Sequence, residues 1–228
     1  MTMTTPEAVT DLVESALGRQ RRPDPVLART GGPAGNAHLT AWLGLLLLVL
    51  FLAELVTLID LSGLITWHIA IGVLLVPPAL AKTATTGWRM VRYYTGSRPY
   101  VEAGPPPLLL RLLGPLVVLG TLAVLGSGVL LVGLGPTATF RPWFTALGFA
   151  VSPLTLHQAC FAVWAGATGL HVLARLVPAW QLATGTHGHG QVPGGPGRGV
   201  VLLSTAAAAA VLAPVVLGLA GAWTDGPF

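Results

Sequence analysis

Five apolar stretches, at about residues 39–59, 64–84, 107–134, 153–177 and 199–223, leave this chain few folds to choose from. A bilayer core about 30 Å thick is crossed by roughly 20 apolar residues in helical form. Each stretch meets that length, so the sequence predicts an all-α, polytopic membrane helix bundle. The residue balance agrees, since 53% of the 228 residues are apolar and only 9% are charged, far from what a soluble domain carries. The third stretch begins PPPLLLRLLGPLVVLG and is long for one crossing, and its Gly114-Pro115 step is where a kink is expected.

Five crossings place the termini on opposite sides, and the arginines say which. The N-terminal tail carries Arg19, Arg21, Arg22 and Arg29, the second connection Arg89, Arg92 and Arg98, and the fourth Arg175 and Arg198. The first connection has no basic residue and the third only Arg141. Basic residues are retained in the cytoplasm, so the expected orientation is N-terminus inside and C-terminus outside. The chain then divides into a cytoplasmic tail (1–37), a four-helix transmembrane bundle (38–181), a Gly/Pro-rich cytoplasmic loop (182–198) and a fifth transmembrane helix with a short outer tail (199–228). No cleavable signal peptide is evident, because the first forty residues are polar rather than a basic start followed by an apolar run.

Several function classes are excluded at this level. The net charge of +4 is spread over loops rather than gathered on a basic face, so nucleic acid is not an expected partner. No P-loop, dinucleotide fingerprint or zincin motif is present, and the GSGVLLVGLG run at 126–135 lies within an apolar helix with no strand before it. Cys160 is the lone cysteine, so no intrachain disulfide can form. His187 and His189, in LATGTHGHGQVPGGPGRG, belong to a linker flexible by composition and lack further ligands at metal-site spacing. Residues 6–17, PEAVTDLVESAL, place Val9, Leu12, Val13, Ala16 and Leu17 on one face behind Pro6, which suits a short amphipathic helix or a frayed tail.

The remaining polar residues of the spans carry the functional signal. His157 and His171 stand fourteen residues apart in the fourth stretch, close to four helical turns, so they share a face and are separated by about 21 Å along the axis. One imidazole then lies near each leaflet. An ionisable residue in hydrocarbon is costly and needs a partner. His68 enters the second stretch about as deeply from the outside as His157 enters the fourth, and two histidines at one depth on different helices can be the axial ligands of one haem. Interhelical hydrogen bonding is the competing account of each histidine taken alone. At the inner level His38, at the start of the first stretch, is matched with His171. Lys82 stands fourteen residues after His68 on the same face, where its ammonium either holds haem propionates or snorkels to the interface. Glu54 lies in the outer half of the first stretch, as a proton acceptor or as a carboxyl bonded to a neighbouring helix.

This pattern resembles the di-haem cytochrome b subunits that anchor bacterial formate dehydrogenases and nickel-iron hydrogenases, over the first four spans. The resemblance implies a four-helix haem-binding core plus a fifth transmembrane helix, two b haems, a bacterial cytoplasmic membrane, and electron exchange with a redox partner subunit or with quinone. Carried onto this chain, His68 with His157 would ligate the outer haem iron and His38 with His171 the inner. Lys82, Arg111 and Arg175 would face propionates, though positive-inside sorting explains the two arginines equally well. Trp164, seven residues from each histidine of the fourth span, would fill the space between haems or simply pack as core. Gly72 would let a macrocycle approach the backbone, whereas Gly166 and Gly169 suit helix contacts of the small-residue kind. The chain departs from the pattern in its very short first connection, its fifth span and the lack of residues that map onto the family's quinone site. A similar arrangement occurs in membrane cytochromes that accompany sulfite-oxidase-type molybdopterin enzymes. The competing functional classes are a haem-free transporter subunit or scaffold, and a stand-alone transmembrane metal reductase.

Overall fold

In the computed structural model, residues 9–10, 13–14, 16–17, 19, 24–185 and 192–225 are described. Of the expected amphipathic helix at 6–17, Val9, Thr10, Val13, Glu14 and Ala16 are described and helical, while the His187/His189 pair lies outside the described residues. Helix dominates: α1 (Gly32–Thr57), a 3-10 turn (Leu58–Asp60), α2 (Leu61–Tyr94), α3 (Arg98–Ala103), α4 (Leu108–Thr139), α5 (Pro153–Thr184), α6 (Gly195–Leu219) and α7 (Gly221–Thr224). A two-stranded hairpin, β1 (Phe144–Ala146) and β2 (Phe149–Val151), is inserted between α4 and α5.

Four helical runs among the described residues are long and apolar enough to cross a membrane: Gly32–Tyr94, Leu108–Thr139, Pro153–Thr184 and Gly195–Leu219. The first, at 63 residues, is far longer than one crossing needs. It doubles back at Leu58–Asp60, because residues on either side of that turn meet in pairs, Glu54 with His68 and Lys82 with Thr40. Its two arms, α1 and α2, contain the first two apolar stretches. The break expected in the third stretch falls elsewhere: within α4 the residue with non-helical geometry is Gly135 (φ 71°, ψ 169°), not Gly114. Only glycine takes that φ without strain, and Pro136 after it disfavours the helical region for its predecessor.

The chain forms two compact units. One comprises residues 1–46, 80–117 and 167–204. In it α1 and α2 are joined by polar contacts: Asn36 Nδ2 donates to the Thr85 carbonyl, the Thr40 hydroxyl to Thr85 Oγ1, and Lys82 Nζ to the Thr40 carbonyl at 3.0 Å. Asp24 of the N-terminal tail accepts two hydrogen bonds from Arg89, at 2.7 and 3.0 Å, a bidentate fork that ties the tail to the end of α2. Arg92 stacks over the rings of Trp88 and Tyr100, linking α2 to α3. Gly31 and Gly194, both with positive φ, stand where the start of α1 passes the segment before α6, and a side chain on either would strike the other strand's backbone.

The second unit comprises residues 47–79, 118–166 and 205–228. Its core joins Ile69 and Val73 of α2, Leu131 of α4 and Ala213 of α6 to Ala220 and Trp223 at the chain's end. The Trp223 indole donates to the Leu131 carbonyl at 3.1 Å. A second cluster packs Leu47 of α1 against Leu75 and Ala79 of α2. The alanine-rich α6 packs through small residues, Thr205, Ala209 and Ala213, and leaves Leu203, Val211, Val215 and Leu219 exposed. That exposed surface is suited to lipid, where small residues make the helix contacts and large ones face the acyl chains.

Candidate functional site

His68 and His157 belong to the same unit, on α2 and α5, and come within electrostatic reach of one another. Each is fixed by its Nδ1 atom. Ser127 of α4 donates its hydroxyl proton to the Val124 carbonyl of its own helix, at 3.1 Å, so its oxygen is left to accept from His157 Nδ1–H at 2.9 Å. Thr57 repeats the device at the end of α1. Its hydroxyl donates to the Glu54 carbonyl, and its oxygen accepts from His68 Nδ1–H at 2.9 Å. Glu54 Oε1 stands 3.1 Å from the same Nδ1. These bonds select the tautomer in which the Nε2 of both rings carries a lone pair. Nδ1 engaged by oxygen and Nε2 open is the arrangement that metal-ligating histidines adopt, and the engaged oxygen raises the ligand's basicity.

Glycine makes room for both ends of this pair. A Cβ on Gly128 would stand 3.3 Å from His157 Cε1, so α4 leaves a slot for the imidazole one residue after Ser127. A Cβ on Gly72 would meet Glu54 Oε1 at 3.3 Å. The space at Gly72 therefore belongs to the Glu54 carboxylate. Gly166 and Gly169 face open space, where an added Cβ meets nothing within 4 Å, so neither makes the close helix contact expected of it. Trp164 is buried, donates to Thr121 Oγ1 at 3.0 Å and lies with its ring centroid 4.6 Å from that of Phe51. Protein contacts account for all of these features of the tryptophan.

The other unit gathers a different set. Lys82, His171 and Arg175 come within electrostatic reach of one another, and Arg175 also feels Arg89 and Asp24. His171 Nδ1 is buried without a hydrogen-bond partner, unlike the two histidines of the first set. Lys82 spends one proton on the Thr40 carbonyl, and Gly44 leaves space for its ammonium on the facing turn of α1, 2.8 Å from where a Cβ would stand. The nearby carboxylate, Asp24, is already bidentate to Arg89. Positive charge is therefore in excess here, and this arrangement suits carboxylate groups of a ligand. His38 is half-buried on α1, about 200° around the helix from both Asn36 and Thr40, which face α2. Arg111 is exposed and donates Nε to the Pro106 carbonyl at the start of α4, outside this cluster.

Five contributors were not singled out in the sequence: Thr57, Ser127, Gly128, Gly44 and Asp24. A Ser or Thr within an apolar helix one turn from a carbonyl acceptor is common, and only its neighbour across the interface distinguishes Ser127. Among the described residues no group of three or more His, Cys, Asp or Glu side chains gathers as a metal cluster. Compared with protein-family models, with curated proteins and with solved structures, the chain finds no match.

Proposed function

We propose that this chain is a membrane b-type cytochrome that carries electrons across a bacterial cytoplasmic membrane through two bis-histidine haems. Its five helical segments α1, α2, α4, α5 and α6 each cross the bilayer, with the N-terminus inside. The observation that carries the reading is the paired restraint of His68 and His157, two imidazoles of one unit within electrostatic reach of each other, each with Nδ1 bonded to oxygen so that Nε2 keeps its lone pair. A haem iron supplies one-electron chemistry when bound. The chain's residues do the rest. His68 and His157 ligate at the outer level, oriented by Thr57, Glu54 and Ser127. His171, with His38, is proposed for the inner level, where Lys82 and Arg175 offer their charge to propionates. Electrons come from quinol or from a redox partner subunit.

A pyridine haemochrome assay on detergent-purified protein tests this directly. Two haems per chain are expected, with His68→Ala and His157→Ala each removing the same one. A protein without haem would make the histidine contacts interhelical polar glue in a transporter subunit or scaffold, a reading that the Thr57 and Ser127 hydrogen bonds also suit. Reduction of ferric chelates by the purified chain alone would instead favour a stand-alone metal reductase.

A further inference from the structure

The hairpin between α4 and α5 lies outside the histidine sites and has its own chemistry. Its pairs are Phe144 with Val151, Thr145 with Ala150 and Ala146 with Phe149, and Trp143 N–H donates to the Val151 carbonyl at 2.8 Å. Successive strand residues alternate faces, so Phe144, Ala146, Phe149 and Val151 share one face. That face is apolar, yet Phe144, Ala146 and Phe149 are exposed, with no protein core against them.

The tip is more pointed still. Leu147 and Gly148 form the turn with φ of 51° and 82°, the positive values of a two-residue hairpin turn. Asn, Asp or Gly is the usual occupant of the first of these positions, because a branched apolar side chain there strains the backbone. Leucine is kept at that strained position with its side chain 97% exposed. A residue that costs the fold and contributes no contact to it is placed for something outside the chain.

We infer that this hairpin is an interfacial anchor, inserting Leu147, Phe144 and Phe149 into the headgroup–acyl boundary of the leaflet where α4 ends. Three features identify lipid as the occupant. The segment from Phe140 to Ser152 joins two membrane-capable helices, and its three-residue strands span only about 10 Å, so the hairpin cannot leave the bilayer surface. Its apolar surface continues to the helix ends, since Phe140 and Trp143 before the hairpin and Leu156 on the first turn of α5 are exposed. The segment's residues are those of a membrane interface: Trp143 and three phenylalanines, with Arg141 as the sole charge and no acid to repel phosphate. The inference does not depend on haem.

The test uses the full chain in liposomes of phosphatidylglycerol and phosphatidylethanolamine, in a Cys160→Ser background. A nitroxide is attached at Leu147→Cys and, as a control at an exposed polar position on the first turn of α2, at Ser62→Cys. Collisional relaxation by oxygen, which partitions into lipid, is compared with that by a water-soluble nickel chelate. The label at 147 should favour oxygen and report a depth of about 5–10 Å below the phosphates, while that at 62 favours nickel. A second label at Phe149→Cys should agree with 147, which guards against a local turn defect. Nickel access at 147 and 149 equal to that at 62 would overturn the anchor. So would labels shielded from both reagents, which would mean that a second copy of the chain covers the hairpin.

Discussion

At the scale of single residues, the hydroxyls of Ser127 and Thr57 are the clearest instance of one small group setting the chemistry of another. Each has given its proton to a carbonyl of its own helix, which leaves an oxygen that can only accept and so dictates which imidazole nitrogen stays free. On the proposed reading, Ser127→Ala or Thr57→Val weakens the donor strength of the imidazole, favours the reduced iron and raises the midpoint potential of the outer haem. A hydrogen bond worth about 0.5–1.5 kcal/mol corresponds to about 20–65 mV for one electron. Redox titration of the purified variants checks this, and an unchanged midpoint with full haem content would detach the hydroxyls from the ligands. Trp164 makes a different kind of contribution. Its removal leaves a cavity beside Phe51 and takes away the indole N–H that donates to Thr121 Oγ1. Trp164→Ala should cost about 2–3 kcal/mol, at or below the usual range for a buried aromatic because the alternative environment is lipid rather than water. Thermal unfolding in detergent measures it.

At the scale of elements, helix faces are set by what the neighbouring helix leaves empty. α4 presents Gly128 to the His157 ring, whereas α5 turns Gly166 and Gly169 towards open space. Gly128→Val should therefore displace the imidazole and lower haem loading at the outer site, while Gly169→Ala should change stability by less than about 0.5 kcal/mol. Parallel haem assays and melting curves on the two variants separate the cases. Equal effects would mean that glycine acts through helix propensity rather than through the slot. α4 is continuous through Gly114-Pro115. Helical geometry is interrupted at Gly135, where the apolar stretch ends, and Gly114 has no positive φ to accommodate.

At the scale of the whole molecule, the predictions concern direction. On the proposed orientation, which rests on the loop arginines, residues 85–105 and 178–198 are cytoplasmic and the C-terminus is outside. Reporter fusions after residues 95, 190 and 228 should report inside, inside and outside. A cytoplasmic C-terminus would mean that one helical segment fails to cross, and the polar contacts between α1 and α2 would make α4 or α6 the suspect. In sealed vesicles, a membrane-impermeant reductant outside should reduce an acceptor trapped inside, and His68→Ala or His157→Ala should abolish the transfer. Full haem loading without transmembrane flow, even with quinones added, would leave a sensing or partner-dependent role.

Helix positions were legible in the sequence because span length is a one-dimensional property: about 20 apolar residues in a row define a crossing wherever they occur. All five apolar stretches are helical, and the third ends within a residue of Gly135. The sharing of one face by His157 and His171 follows from helical periodicity alone, and so was legible too. The hydrogen bonds that orient the histidines were not. Ser127 is thirty residues from His157 and Thr57 eleven from His68, and no local pattern distinguishes them from other hydroxyls in apolar helices. Tertiary structure also decided that Gly72 faces Glu54 and that Arg111 donates to the Pro106 carbonyl. It revealed the β-hairpin as well, since three-residue strands are too short to leave a periodicity. Periodicity along the chain determines which face of a helix a residue occupies. Which atoms it finds there depends on the rotation of the neighbouring helix, a choice made by packing across distances that sequence order does not encode.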